Sequence, residues 1–241
     1  MGSVDNYIRS VELLRERISS FSKYPFCLPV IRDLSGLEFH SKVTCFAGEN
    51  GTGKSTILEA IAASYGFNPE GGTRNFNFST KATHSELYDH IRLVKGVRRP
   101  KDGFFLRAES FYNVATNIDE LGVEASYGGI SLHGQSHGEA FMSLLLNKFR
   151  GEGLYILDEP EAALSPIRQM TMLARLHELA AQGSQFIIAT HSPIILAYPE
   201  ADIYEIKEGI RKVSYEETEH YKVMRDFINN REKMLRILLE E

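Results

Sequence analysis

Gly48, Glu49, Asn50, Gly51, Thr52, Gly53, Lys54 and Ser55 follow the spacing G-x-x-x-x-G-K-S in full, a pattern suited to cradling phosphate. Gly51 and Gly53 permit a tight loop, Lys54 can reach β and γ phosphates, and Ser55 offers a hydroxyl to Mg²⁺. Backbone N–H groups and the positive end of the following helix supply the rest of an anion site. Thr56, next to Ser55, is better placed to support the helix start or a phosphate oxygen than the metal. The plainer reading is a glycine turn before an ordinary helix, and the complete motif argues against it.

Downstream, Leu154, Tyr155, Ile156 and Leu157 read as a buried strand that delivers Asp158 and Glu159 at its carboxyl end, where ligands collect in open α/β sheets. Asp158 is placed to hold Mg²⁺, directly or through water, and Glu159 to orient or deprotonate an attacking water. Two carboxylates after a strand are elsewhere often solvated loop residues; beside a phosphate loop they read as its partners. Glu161 follows Pro160 and suits the start of the next helix, so it stays outside the catalytic set. An apolar strand over 186–190 then places His191 at the same sheet edge, before Ser192 and Pro193.

These residues need strands and helices in a fixed order, and the apolar pattern supplies them. The run KVTCF leads into the glycines, and a helix from Ser55 through TILEAIAASYGF turns Ile57, Leu58, Ile61 and Ala62 toward a sheet. Upstream, Tyr7, Ile8, Val11, Leu14 and Ile18 predict an amphipathic helix over 5–20, and 29–46 is strand-like. Residues 66–82 read as an irregular excursion, 102–110 as a strand with its exit loop, and 111–130 carries no legible pattern. A helix over 139–149, a strand over 153–159, a helix over 165–182 and a strand over 184–192 follow. A hairpin turning near Glu208 and Gly209 and a C-terminal helix over 217–241 close the chain, the latter striped with Val223, Met224, Phe227, Ile228, Leu235 and Leu238. The alternation predicts an α/β core with a largely parallel sheet. The expected organisation is one domain over 1–241, with an irregular insert around 66–130.

Composition narrows the setting. The 241 residues, 43% of them hydrophobic, can bury a full core. A formal net charge of -5 lacks the basic excess of an obligate nucleic-acid coat, although a local basic patch stays compatible with it. Cys27 and Cys45 form neither a disulfide scaffold nor a metal cluster and read as reduced, buried thiols. No apolar run approaches the roughly 20 residues that cross a bilayer. The N-terminus resembles neither a signal peptide nor a myristoylation site, so a cytoplasmic protein without direct membrane contact is expected.

The phosphate loop, ILDEP and a strand ending in ATHS together resemble the ATP-binding cassette ATPases, especially soluble relatives of the DNA-repair, chromosome-maintenance and overcoming-lysogenization-defect types. The resemblance implies a P-loop NTPase fold of that type, with a largely parallel central sheet, an antiparallel edge and a short helical insert. It also implies ATP and Mg²⁺ as cofactors, ATP hydrolysis, and a γ-phosphate contact or water-positioning role for His191. In that superfamily a short helix-starting motif binds the γ phosphate held by the opposite subunit, and QSHGEA, with Ser136 and Gly138, matches it. His137 and Glu139 depart from the transporter pattern, and Ser136 with Glu139 also fits a capping box. On this resemblance two protomers close head to tail over two ATP molecules. Ala163, Leu164 and Ser165 match a loop that crosses the dimer interface, although Ser165 before Pro166 is also an ordinary helix cap.

Two family features have no plain match. Glu109 or Ser110 stands where a glutamine usually joins the Mg²⁺ shell, and Tyr24 or Phe26 stands where an aromatic stacks on the base. Three outputs stay open: a switch ATPase acting on nucleic acid or a protein effector, in repair or defence; the ATP-binding subunit of a membrane transporter; or a nucleotide-binding regulator with little turnover.

Overall fold

The computed structural model describes residues 5–69, 71–73, 85–107 and 134–239. The main sheet has the order β5-β6-β7-β3-β8-β9, built from β3 (Val43–Gly48), β5 (Asp102–Arg107), β6 (Gly153–Asp158), β7 (Gln185–Ala189), β8 (Asp202–Ile206) and β9 (Ile210–Val213). Its neighbours are parallel until β9, which turns back antiparallel on β8. The predicted α/β sheet with an antiparallel edge is therefore what the chain forms.

Strands β3, β6 and β7 are buried along their whole length because each face of the sheet is covered. Val43, Cys45, Tyr155, Leu157, Phe186 and Ile188 face one core, together with α4 (Pro166–Ala181) through Met172, Leu176 and Leu179. Phe46, Leu154, Ile156 and Ile187 face the other, against α2 (Lys54–Tyr65) through Ile57, Leu58 and Ile61. Alternation along each strand thus fills two cores at once.

A second, antiparallel sheet has the order β2-β1-β4, from β1 (Ile8–Leu13), β2 (Leu37–Glu38) and β4 (Ile91–Lys95). It corrects the expected helix over 5–20. Ile8, Val11 and Leu13 are the buried positions of β1, and its register with β4 shifts between Ile8 and Ser10. A bulge adds one residue to a strand, so apolar residues on one face acquire a three-residue step that imitates a helical period. Gln185 locks this sheet to the main one, accepting from Ile8 N at 2.9 Å and donating to Ile8 O at 2.8 Å.

The strand-like reading of 29–46 needs a similar correction at its start. Pro29 opens α1 (Pro29–Arg32) at the first helical position, and Val30 and Ile31 are buried from it. The helix over 139–149 forms as α3 (His137–Ser143), continued by a π turn over Leu144–Lys148. After α5 (Pro193–Leu196) and the hairpin, the C-terminal helix is two, α6 (Glu219–Asn229) and α7 (Arg231–Leu239), broken at Asn230. Val223, Met224, Ile228 and Leu238 of its apolar stripe are exposed rather than packed. Cys45 is buried and its thiol pushed up to about 12 by desolvation, whereas Cys27 is only partly buried, contrary to the paired expectation. Of the irregular excursion, Gly72 pairs with Phe105 through backbone bonds of 2.7 and 3.0 Å. Most of the rest, and 111–130, lie outside the described residues.

Candidate functional site

The loop between β3 and α2 takes its shape from its glycines. Gly51 and Gly53 have φ of 80° and 98°, values that favour glycine. At Gly48, with φ 152°, a Cβ would sit 2.4 Å from Ile206 O, so only glycine lets β8 pack beside the loop entrance. Thr52 ties the loop together, its N and Oγ1 donating to Glu49 O at 3.4 and 2.8 Å. Glu49, Asn50 and Gly51 form the exposed crest. The first turn of α2 leaves N–H groups without intrahelical acceptors, facing the hollow of the loop.

Lys54 is 3% exposed, and its ammonium donates to Gly48 O at 2.8 Å and Glu49 O at 3.0 Å. Desolvation lowers its pKa, opposed by the carboxylates of Glu159, Asp158, Glu161 and Glu49. Behind it, Ser55 Oγ donates to Asp158 Oδ1 at 3.0 Å. Asp158 sits at the end of β6 beside Arg107 of β5, and burial pushes its carboxyl up to about 7, against the lowering effects of Ser55, Arg107 and Lys54. Such a carboxylate is short of compensating positive charge. A divalent cation would provide it, and the pair Ser55 and Asp158 offers the hard oxygen donors that Mg²⁺ takes along with phosphate oxygens. Among the described residues no three His, Cys, Asp or Glu converge to hold a metal by themselves.

Glu159 adopts a left-handed backbone, φ 49° and ψ 52°, that turns the chain sharply off the strand before Pro160. Its Oε1 lies 3.2 Å from His191 Nε2. His191 N donates to Glu161 Oε1 at 2.5 Å, while Glu161 Oε2 is buried with no partner. Glu161 thus holds the backbone of the histidine. The sequence assigns Glu161 only to the next helix, because its proximity to His191 arises from the β6–β7 pairing. His191 Nδ1 also meets His220 Nε2 of α6 at 3.2 Å, a contact that no sequence pattern signals.

A cleft of about 190 Å³ is lined by Tyr24, Asn50, Gly51, Lys54, Thr56 and Glu159, among others. Tyr24 is 64% exposed and its hydroxyl lies 3.2 Å from Thr56 Oγ1. Phe26 is buried, edge-on to His90, and so packs the core instead of facing a base. A broader hollow that shares Glu49 and Thr52 carries Asp33, Glu205 and Glu208 together with Lys207 and Arg211. Glu109 and Ser110 lie outside the described residues.

Ser136 stands apart. It caps α3, with its Oγ accepting from Glu139 N at 3.4 Å and donating to Glu139 Oε2 at 2.7 Å, and its N donating to the same carboxylate at 3.0 Å. The capping-box alternative is therefore present. Gly138 is buried where a Cβ would come within 2.5 Å of Ala163 O, so the missing side chain lets α3 rest on the turn after Glu159. Ser165 likewise caps α4 through Arg168 N at 3.4 Å. No residue of 134–143 lines the cleft around Lys54.

A family described as AAA domain matches residues 17–150, and one described as "AAA domain, putative AbiEii toxin, Type IV TA system" matches residues 139–197. The chain is similar to the macrolide export ATP-binding/permease protein MacB of Hahella chejuensis, 26% identical over 211 residues that make up 75% of this chain and 30% of that protein. It is 24% identical over 172 residues to the cytochrome c biogenesis ATP-binding export protein CcmA of Legionella pneumophila, covering 66% of this chain and 84% of that one. With the energy-coupling factor transporter ATP-binding protein EcfA2 of Methanospirillum hungatei it shares 26% over 208 residues, 74% of this chain and 49% of that one. The chain thus spans less than a third of the length of the first of these relatives. Among solved structures, cbiO1 from Clostridium perfringens aligns with a TM-score of 0.48 at 18% identity, covering 95% of this chain and 97% of that one. The SMC head domain from Thermotoga maritima aligns at 0.42 and 17%, covering 86% and 98%. No described helix is long and apolar enough to cross a membrane. With a complete phosphate loop facing Asp158 and Glu159 across one sheet edge, and the AAA-domain family matched over more than half of its sequence, the chain belongs to that AAA-domain family and carries a P-loop core.

Proposed function

We propose that this chain binds Mg-ATP at the loop 48–56 and hydrolyses it, with Glu159 handling the water. The observation that carries this reading is the meeting of Lys54, the Ser55–Asp158 pair at 3.0 Å and the Glu159–His191 pair at 3.2 Å at one end of the sheet. Lys54 exchanges its contacts with two loop carbonyls for β and γ phosphate oxygens, and the loop N–H groups orient the chain of phosphates. Mg²⁺, held by Ser55 and Asp158, offsets the charge of the phosphates when bound. Glu159 orients a water in line with the β–γ bridge and takes its proton as the new P–O bond forms and the bridging bond to the ADP oxygen breaks. His191, within reach of Glu159, holds that carboxylate and contacts the γ phosphate.

The site is completed by a second copy. Ser136 is exposed at a helix start and takes no part in the cleft of its own chain, which leaves it free to meet the γ phosphate of a facing protomer once Glu139 yields. A terminal phosphate then satisfies donors that ADP would leave unpaired across the closed interface. For the output, the exporters and transporter subunits among the relatives favour an ATP-binding subunit that works beside a membrane partner. A switch acting in defence finds support in the toxin description matched at 139–197.

The test uses Glu159→Gln. Phosphate release should fall by about 10² to 10⁴-fold while ATP stays bound, and the protein should sediment as a dimer with Mg-ATP and as a monomer with ADP. Adding Ser136→Arg should abolish the dimer and spare ATP binding. Phosphate release at the original rate, or an ATP-driven dimer that survives Ser136→Arg, would overturn the corresponding half of the reading.

A further inference from the structure

The helix that follows the hairpin carries a histidine into the site from behind. His220 lies in the first turn of α6, and that turn is fixed from several sides. Thr218, fully buried, caps it by accepting from Tyr221 N at 3.4 Å. Glu205 of β8, itself 3% exposed, accepts from Glu219 N at 2.8 Å, and Lys207 pairs with Glu219 at 2.9 Å. The imidazole so placed puts Nε2 at 3.2 Å from His191 Nδ1, and its own Nδ1 is buried without a hydrogen-bond partner.

The protons on this pair follow from its surroundings. Glu159 Oε1 accepts, which favours the hydrogen on His191 Nε2, 3.2 Å away, without by itself fixing it there. In a neutral His191 the Nδ1 is then a lone pair, which needs a donor, and His220 Nε2–H is the group that faces it. The remaining nitrogen of His220 is a lone pair, and it is the one with no partner. The reverse arrangement would set His191 Nε2 and Glu159 lone pair to lone pair and bury an unpaired N–H on His220, two costs at once. Burial, and then the facing His191, hold the His220 pKa below its ordinary value, which keeps it a neutral ring with a single N–H.

We propose that His220 is a positioning residue for hydrolysis: its Nε2–H donates to His191 Nδ1 and fixes the tautomer that presents Nε2–H to Glu159 and the γ phosphate. The proposal rests on the hydrolytic reading above. It needs no contact between His220 and nucleotide, since the ring acts through the orientation and proton of another, as second partners of functional histidines commonly do.

The test compares His220→Leu, which removes the donor, with His220→Gln, whose amide can restore one at a similar reach. His220→Leu should lower kcat for Mg-ATP by about 10 to 100-fold with KM changed by less than about twofold, and His220→Gln should recover most of the rate. Nitrogen-15 spectra of labelled histidines in the nucleotide-free protein should show His191 protonated at Nε2 alone in the original chain and in His220→Gln. In His220→Leu the signal should move to a mixture of both tautomers. An unchanged His191 signature in His220→Leu overturns the proposal, as does a rate equal to the original or a Gln variant as slow as Leu despite the same melting temperature. Because the spectra are read without turnover, they report on the pair even where hydrolysis fails in every variant, which would instead defeat the hydrolytic reading.

Discussion

The starts of helices α2 and α3 are built in opposite ways. At the start of α2 the lysine is buried, its ammonium bonded to two carbonyls of its own loop, and the following serine is bonded to a buried aspartate from another strand. At the start of α3 the serine is exposed, and its hydroxyl and backbone N bond a glutamate three residues on. The first is preorganised: its polar groups are locked in an electrostatic balance that phosphate and a cation relieve. The second is a self-satisfied cap on the surface, and a ligand must displace Glu139 to use it. On the function proposed above, one half of the site is finished by folding, and the other waits for a second surface.

The sharpest way to break this contrast is Lys54→Ala. It removes the point charge at the finished half, and productive Mg-ATP binding should be lost altogether. Calorimetry should show no saturable heat, and the stabilisation of about 2.7 kcal/mol expected at one hundred times Kd should vanish from melting curves. A variant that binds as tightly as the original chain would place the nucleotide elsewhere.

A smaller effect sharpens the electrostatic side of the comparison. Folding raises the Asp158 carboxyl from 3.8 to about 7, so between those values the folded nucleotide-free protein holds a proton that the unfolded chain has released. The contribution is fully present below about pH 4 and is lost as pH rises through about 7, so stability from this group falls across that window, on the order of a few kcal/mol. Asp158→Asn keeps an acceptor for Ser55 and cannot ionise. Urea unfolding between pH 4 and 8 should therefore show a flatter slope for the variant, while Mg²⁺ should no longer add to its stability in ATP. Identical slopes would mean that the aspartate is compensated in the fold and in no need of a cation.

The smallest change probes the rim of the cleft. Tyr24→Ala should weaken ATP by about 3 to 10-fold, the worth of one aromatic stacking contact, and leave inorganic tripolyphosphate unaffected. Equal losses for both ligands would assign Tyr24, through its contact with Thr56, to the phosphate loop instead of the base. The same contrast also guides truncations. Residues 217–241 include His220, so removing them to exclude association through the C-terminal helices would disturb the site. A cut after Asn230, where α6 ends, keeps the His191–His220 pair and removes only α7.

Much of the finished half is legible in the amino-acid sequence. Lys54, Ser55, Asp158, Glu159 and His191 stand out because each lies at the end of a strongly apolar strand or at a glycine turn, and such local signals survive in any tertiary setting. The departures have local causes too. The bulge at Ile8 and Ser10 lends β1 a helical period, and the apolar stripe beyond Glu219 describes a face that the fold leaves exposed. Short elements such as β2, with two residues, and α1, with four, carry too few positions for any period to show.

The sequence by itself determined the phosphate loop, the two carboxylates and the largely parallel character of the sheet around them, since backbone sterics at glycine and the burial of apolar strands act over a few residues. Only the tertiary structure decided which groups face one another. Glu161 beneath His191, Arg107 beside Asp158 and His220 behind His191 are brought together by strand register and helix packing across 29 to 51 residues of chain. Contacts between groups that distant leave no periodic trace in the sequence, because the distance that matters to them is measured through space.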